Sequence, residues 1–214
     1  MKNIVKDTFV LFAITLIAGL GLGVVYNVTL KPRNEQEEKT RLEAYEKVMP
    51  GLGDFEAVEI LDEDVNQYIA EKITTTEKEN NISTIKPFNA SVDNVVKTFD
   101  KQGNEQGYIV TMTDKEAYDG SLQIAVGILS DGTVKGISFL SLSETPGLGM
   151  RADEDMFKNQ FQDKNVPFFV YSKNGKSKEN EIDAISSATV TSNAVTHAVN
   201  GAICCVEYIT GGGH

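Results

Sequence analysis

From Thr8 to Leu30 the chain carries no formal charge, and most of these residues are Phe, Leu, Ile, Val, Ala or Gly. About 20 residues at about 1.5 Å each cover the roughly 30 Å hydrocarbon core of a bilayer, whereas the apolar core of a cleaved secretory signal usually runs about 7 to 15. One membrane-crossing helix is therefore expected over 8–30. A cleaved signal is the other reading, because small residues lie between Ala18 and Gly23. Glycines at 19, 21 and 23 suit close packing against a partner helix. Lys2 and Lys6 precede the run, while Lys31, Arg33, Lys39 and Arg41 follow it, so positive-residue counting does not favour an inside N-terminus.

The rest of the 214 residues has room for one domain with a proper core. With 31 acidic and 20 basic residues the net charge is −11. No basic stripe exists to replace phosphate counterions, which argues against nucleic acid and leaves protein and membrane as partners. Cys204 and Cys205 are adjacent in a helical run and point to different faces, so the pair cannot chelate a metal or an iron–sulfur cluster. They read as small packing residues, with a ligand shared with another subunit as the alternative. Any redox centre is then organic or borrowed.

Residues 35–48 read as a polar helix with Glu to Lys or Arg pairs, stopped by Met49-Pro50-Gly51. Residues 60–100 alternate short apolar stretches with Asn, Asp, Thr and Lys, which predicts strands and loops. Stronger strand patterns occupy 106–113, with Tyr108, Val110 and Met112 on one face, then 122–129 and 134–140, the last two joined as an antiparallel hairpin through Ser130-Asp131-Gly132-Thr133. An amphipathic helix with an acidic first turn is predicted over 153–162. A final helix runs from about Ser187 to Ile209 and ends at Gly211-Gly212-Gly213. The fold class is α+β: a single N-terminal transmembrane helix, then an antiparallel-sheet domain with flanking helices. The expected segments are a tail at 1–7, the span at 8–30, a helical linker at 31–50 and the domain at 51–210.

The start of that final helix is chemically dense. Asp183-Ala184-Ile185-Ser186-Ser187-Ala188-Thr189-Val190-Thr191-Ser192 places five hydroxyls and one carboxylate where first-turn N–H groups lack intrahelical partners and the macrodipole is positive. Such an end can hold a phosphate without Lys or Arg. Ordinary N-capping by Ser, Thr or Asp is the competing use of the same residues.

This segment resembles the flavinylation motif of the FMN-binding domain family, Asp-x-x-Ser/Thr-Gly/Ser-Ala-Thr, with Asp183, Ser186, Ser187, Ala188 and Thr189 filling the pattern in order. Ser187 stands where Gly is commoner, which tightens the steric demands of the turn. A second family-like segment lies at Ser143-Glu144-Thr145-Pro146-Gly147-Leu148-Gly149. Two such segments behind a membrane anchor are similar to the G subunit of Rnf-type ion-translocating electron transport complexes.

The resemblance implies FMN joined to Thr189 through a phosphoester. Asp183, Ser186, Ser187 and Ala188 would be recognition or local hydrogen-bonding residues, and Thr191 and Ser192 donors near the phosphate. Glu144, Thr145, Gly147, Leu148 and Gly149 would lie along the ring, with Gly120 and Ser121 as further contacts. It also implies an extracytoplasmic flavin domain, a flavin transferase acting during maturation, and other membrane and redox subunits of a complex that passes electrons between ferredoxin and NAD while moving Na⁺ or H⁺.

His197 lies too far along the helix to reach the phosphate and reads as a surface or satisfied core histidine. No Gly-x-Gly-x-x-Gly follows a strand as a dinucleotide cradle, so the isolated chain is expected to relay electrons and not to oxidise NADH unaided. The alternatives are the C subunit of Na⁺-translocating NADH:quinone reductase, and an anchored ligand-binding or sensor module in which the Ser/Thr cluster only caps a helix.

Overall fold

Alternation of apolar and polar residues through the middle of the chain builds an antiparallel meander. The computed structural model describes residues 2–59 and 62–211. It has two units, Met1–Leu42 and Glu43–His214.

The first unit is helical. α1 runs without interruption from Lys2 to Val48, through Pro32, and contains a segment long and apolar enough to cross a membrane, with a mean hydropathy of 2.4. Thr8, Thr15, Asn27 and Thr29 each return a side-chain hydrogen bond to the carbonyl four residues earlier. That satisfies these polar groups within the helix, as a lipid environment requires. Past the apolar run, Arg33 pairs with Glu37 at 2.8 Å, the i,i+4 spacing expected of a solvated polar helix.

The second unit opens with the last turn of α1, so it begins before residue 51, where the sequence reading starts the domain. β1 (Leu52–Ala57) follows, then α2 (Asp62–Glu79), β2 (Ala90–Asp100), β3 (Glu105–Ala117), β4 (Gly120–Leu129) and β5 (Val134–Leu142). The five strands pair antiparallel in the order β1-β2-β3-β4-β5. A 3₁₀ turn at Gly149–Asp153 and the short α3 (Asp155–Lys158) lead to a parallel ribbon of β6 (Val170–Ser172) and β7 (Glu181–Asp183). α4 (Thr189–Thr210) closes the fold.

The period of two puts both sheet faces to use. Val110, Met112, Ile124 and Val126 share the main core with α2, α4 and the phenylalanines at 157, 161 and 169. Val96, Ile109 and Ala125 point the other way, onto Tyr45, Val48 and Met49. Tyr45 Oη also accepts from Asn94 Nδ2 at 3.2 Å. A side chain at Gly127 would overlap the Val48 carbonyl, so the strand admits that turn only where it lacks a Cβ.

Strands β3, β4 and β5 and the hairpin at 130–133 lie where the pattern places them. Two segments differ. Residues 62–79 form a helix, not strands and loops, because Val65, Ile69 and Ile73 recur every fourth residue and all three are buried; residues 60 and 61 fall outside the described ones. The helix expected at 153–162 shortens to α3, with turns continuing to 163. Phe157 and Phe161 are still buried, stacked edge-on with each other, and Phe161 with Phe169. α4 starts at Thr189, slightly later than expected, and Gly212 and Gly213 lie outside the described residues.

Candidate functional site

The turn between β7 and α4 is held by a side chain from the helix it precedes. Ser192 Oγ accepts the Ile185 N–H at 2.9 Å and donates to the Ala188 carbonyl at 3.0 Å. Ser192 is thus a clamp on the turn, in place of the phosphate donor suggested by the sequence. The Ala188 N–H closes on the Ile185 carbonyl at 3.0 Å, and Ser187 sits at φ 63°, the left-handed region that favours glycine.

Capping is not how this helix starts. Its N-cap is Ala188, with no side-chain cap hydrogen bond. Among the described residues, the N–H groups of Thr189, Val190 and Thr191 meet no acceptor, whereas the Ser192 N–H reaches the Ala188 carbonyl. Thr191 Oγ1 is also buried without a partner. Thr189, the first helical residue, is partly exposed. Ser186 and Ser187 face solvent and Ala188 is buried.

The loop after β5 comes to the same place. Pro146 and Gly147 (φ 76°) make a tight turn in which the Leu148 N–H donates to the Thr145 carbonyl at 3.1 Å. Thr145 and Leu148 are exposed, while Glu144 is buried. Glu144 Oε1 accepts the Tyr118 N–H at 2.9 Å, which ties the β3–β4 turn just before Gly120 and Ser121, the first residues of β4, to this loop. A Cβ at Gly149 would overlap the Glu144 carboxylate and lie 2.8 Å from Thr191 Oγ1. A side chain there would have to displace the Glu144 carboxylate and the Thr191 hydroxyl, so glycine lets the loop approach α4 closely.

Asp183 is brought to the edge of this cluster. Its carboxylate accepts the Lys176 N–H, and Gln160 clasps its backbone, accepting from the N–H at 2.7 Å and donating to the carbonyl at 3.2 Å. Beside it lies a cleft of about 410 Å³ lined by Arg151, Met156, Phe157, Lys176, Ile185 and Ser186. Arg151, Gln160 and Tyr118 were not singled out from sequence. Arg151 lies two residues after Gly149 of the Gly147-Leu148-Gly149 loop, and that nearness was the available signal. Gln160 and Tyr118 act through contacts that only the fold creates.

The deeper polar groups are structural. His197 is buried with Nε2 3.0 Å from Glu77 Oε1 and Nδ1 3.2 Å from Asn193 Nδ2, a satisfied core histidine. Asp114, opposite on β3, is fully buried, and burial pushes its carboxyl up to about 6. Cys204 and Cys205 are buried, and that burial pushes both thiols up to about 12. Among the described residues no three His, Cys, Asp or Glu side chains gather as a metal site.

Free N–H groups, an orphaned buried hydroxyl, a glycine-dependent close approach and an adjoining part-apolar cleft fit a ligand with a phosphate and a flat ring. Residues 117–204, from the β3–β4 turn to the middle of α4, match the family described as the FMN-binding domain. This part of the chain falls in the FMN-binding domain class. Over 206 residues the chain is 32% identical to the G subunit of the Na(+)-translocating ferredoxin:NAD(+) oxidoreductase complex of Acetobacterium woodii, covering 94% of this chain and 91% of that one. The chain belongs to the family of G subunits of ion-translocating oxidoreductase complexes. It is also 38% identical over 112 residues to the G subunit of the proton-translocating ferredoxin:NAD(+) oxidoreductase complex of Clostridium ljungdahlii, covering 52% of this chain and 60% of that one. Likeness to the C subunit of the Na(+)-translocating NADH-quinone reductase of Vibrio anguillarum is weaker, at 25% over 232 residues, 91% of this chain and 88% of that one.

Proposed function

We propose that this chain is the membrane-anchored electron-transfer subunit of an Rnf-type ferredoxin:NAD oxidoreductase coupled to Na⁺ or H⁺ translocation, and that it carries FMN through a phosphoester on Thr189. The supporting observation is the first turn of α4, which holds three N–H groups without acceptors, the orphaned Thr191 hydroxyl and the partly exposed Thr189. Bound FMN supplies one- and two-electron transfer. The chain's own part is to fix that group. The N–H groups of 189–191 and Thr191 Oγ1 hold the phosphate, Glu144 anchors the 145–149 loop beside it, and Gly120 and Ser121 border the site.

A neutral threonine hydroxyl is a poor nucleophile, and no base is hydrogen-bonded to Thr189 among the described residues, so attachment is assigned to an external flavin transferase. Residues 1–7 form a cytoplasmic tail, 8–30 the span, 31–42 a helical linker, and the unit from residue 43 to 210 the extracytoplasmic flavin domain. The partners are the other membrane and redox subunits of the complex.

Co-expression with a flavin transferase tests the attachment. Wild type is expected to gain the mass of FMN less water and to fluoresce in a denaturing gel, and Thr189→Val to lose both signals while still folding. A modified Thr189→Val product would move the linkage to Ser186, Ser187 or Thr191. Protease added to intact cells is expected to digest the large domain; digestion only after the membrane is permeabilised would reverse the sidedness.

A further inference from the structure

The two strands of the β6–β7 ribbon pair along one edge of β6 and leave its other edge to find partners elsewhere. The Val170 N–H donates to the Asn180 carbonyl at 2.9 Å and the Ser172 carbonyl accepts the Ala184 N–H at 2.8 Å, so residues 170 and 172 spend their backbone groups on β7. Phe169 and Tyr171 point the other way. Asn200 takes both backbone groups of Phe169, its amide standing in for a neighbouring strand. At Tyr171 nothing does so: among the described residues its N–H and carbonyl have no partner, and its hydroxyl alone is engaged, donating to the Ser83 carbonyl at 3.3 Å.

Tyr171 lines a cleft of about 920 Å³ bounded by the end of α2, the 80–85 segment, β6 and α4. None of its lining residues belongs to the 144–149 loop or the first turn of α4. Ile203 and the exposed Ile85 give it an apolar patch. Its charged lining is three lysines and two glutamates, net positive in a chain whose net charge is −11. Lys72 pairs with Glu207. Glu181 is held by the Ser177 N–H at 2.7 Å, the Ser177 hydroxyl at 2.8 Å and the Lys178 N–H at 3.3 Å. The side chains of Lys173 and Lys178, both exposed residues, form no ion pair among the described residues.

We propose that this cleft docks an extended, acidic segment of another polypeptide, which adds as a strand along β6. Its backbone pairs with the N–H and carbonyl of Tyr171, its carboxylates meet Lys173 and Lys178, and an apolar side chain packs on Ile85 and Ile203. The open strand edge calls for an extended backbone, because a small anion has no donor for the Tyr171 carbonyl; the spare lysines call for acidic side chains on that backbone. The inference goes beyond the flavin and does not depend on its attachment.

The test uses the full-length chain in detergent at low ionic strength, with a capped, fluorescein-labelled heptapeptide of alternating Glu and Val as probe. Fluorescence anisotropy is expected to show saturable binding, and amide hydrogen exchange to show slowing at Tyr171 when the peptide is present. The same peptide methylated on its backbone nitrogens keeps every charge but loses its donors, and is expected to lose binding. Lys173→Glu combined with Lys178→Glu, at two exposed positions, is expected to weaken binding about tenfold. Lys101→Glu combined with Lys115→Glu makes the same change of charge at exposed positions outside the cleft and is expected to leave binding as it was. A peptide that does not bind, that leaves Tyr171 unprotected, or that binds the Lys173 and Lys178 variant as it binds wild type would overturn the proposal. Equal binding of the methylated peptide would make the cleft a simple anion site and overturn strand addition.

Discussion

The two ends of α4 treat buried polarity in opposite ways. From Asn193 onward, polar side chains facing the core are matched. Asn193 Oδ1 accepts the Ile85 N–H at 3.2 Å, His197 is held at both ring nitrogens, and Asn200 takes both the N–H and the carbonyl of Phe169, at 2.8 and 2.9 Å. The first turn has free N–H groups, an orphaned Thr191 hydroxyl and a left-handed Ser187. An unpaired buried polar group costs stability unless something binds it, and within this helix the mismatch gathers in the turn to which the proposed phosphate is assigned, while Thr98 Oγ1, Gln106 Oε1 and Asp114 Oδ2 are buried without partners elsewhere in the domain.

Three measurements on the flavin-free full-length chain in detergent would break or sharpen this contrast. Asn200→Ala leaves both backbone groups of Phe169 unpaired and is expected to cost about 3 kcal/mol in denaturant unfolding; a loss near zero would mean that the matched half does not depend on its matching.

Asp114 complicates the contrast, since its Oδ2 is buried without a partner although it lies on the matched side. Its folded pKa, raised to about 6 by burial, means the native state keeps its proton longer than the unfolded chain. Its contribution is therefore most favourable below about pH 4, is lost as pH rises to about 6, and is flat beyond. Asp114→Asn should remove that slope and be more stable than wild type by about 2 kcal/mol at pH 7, with little difference at pH 4. Parallel stability profiles for the two proteins would refute the assignment.

The smallest effect has the opposite sign to the first. Thr191→Val removes an unsatisfied hydroxyl at nearly constant shape and is expected to raise stability by about 1 kcal/mol without flavin. If Thr191→Val is as damaging as Asn200→Ala, the hydroxyl has a structural partner and the first turn is not shaped for a phosphate.

Much of this was legible from local pattern. Strands β3, β4 and β5 followed from apolar, β-branched runs bounded by turn residues, and the α4 segment from its Asp and hydroxyl spacing. α2 was obscured because its core stripe is narrow, one residue per turn at Val65, Ile69 and Ile73, and because Thr74-Thr75-Thr76 reads as strand. The helix expected at 153–162 had the right buried residues, but its apolar spacing is equally served by successive turns that pin Phe157 and Phe161. At the site, the loop and the helix start could each be found in sequence. Their meeting through Glu144, Gly149 and Thr191 could not, because close approach between segments distant in the chain leaves no periodic trace.

The adjacent thiols of Cys204 and Cys205 have a practical consequence. Both are sealed inside the domain, with the thiolate strongly disfavoured, so an alkylating reagent at neutral pH meets them only when the core opens. These are the only cysteines in the sequence. The protein therefore carries its own chronometer: the rate at which iodoacetamide labels the pair reports how often the domain visits open states, with no dye or engineered tag required.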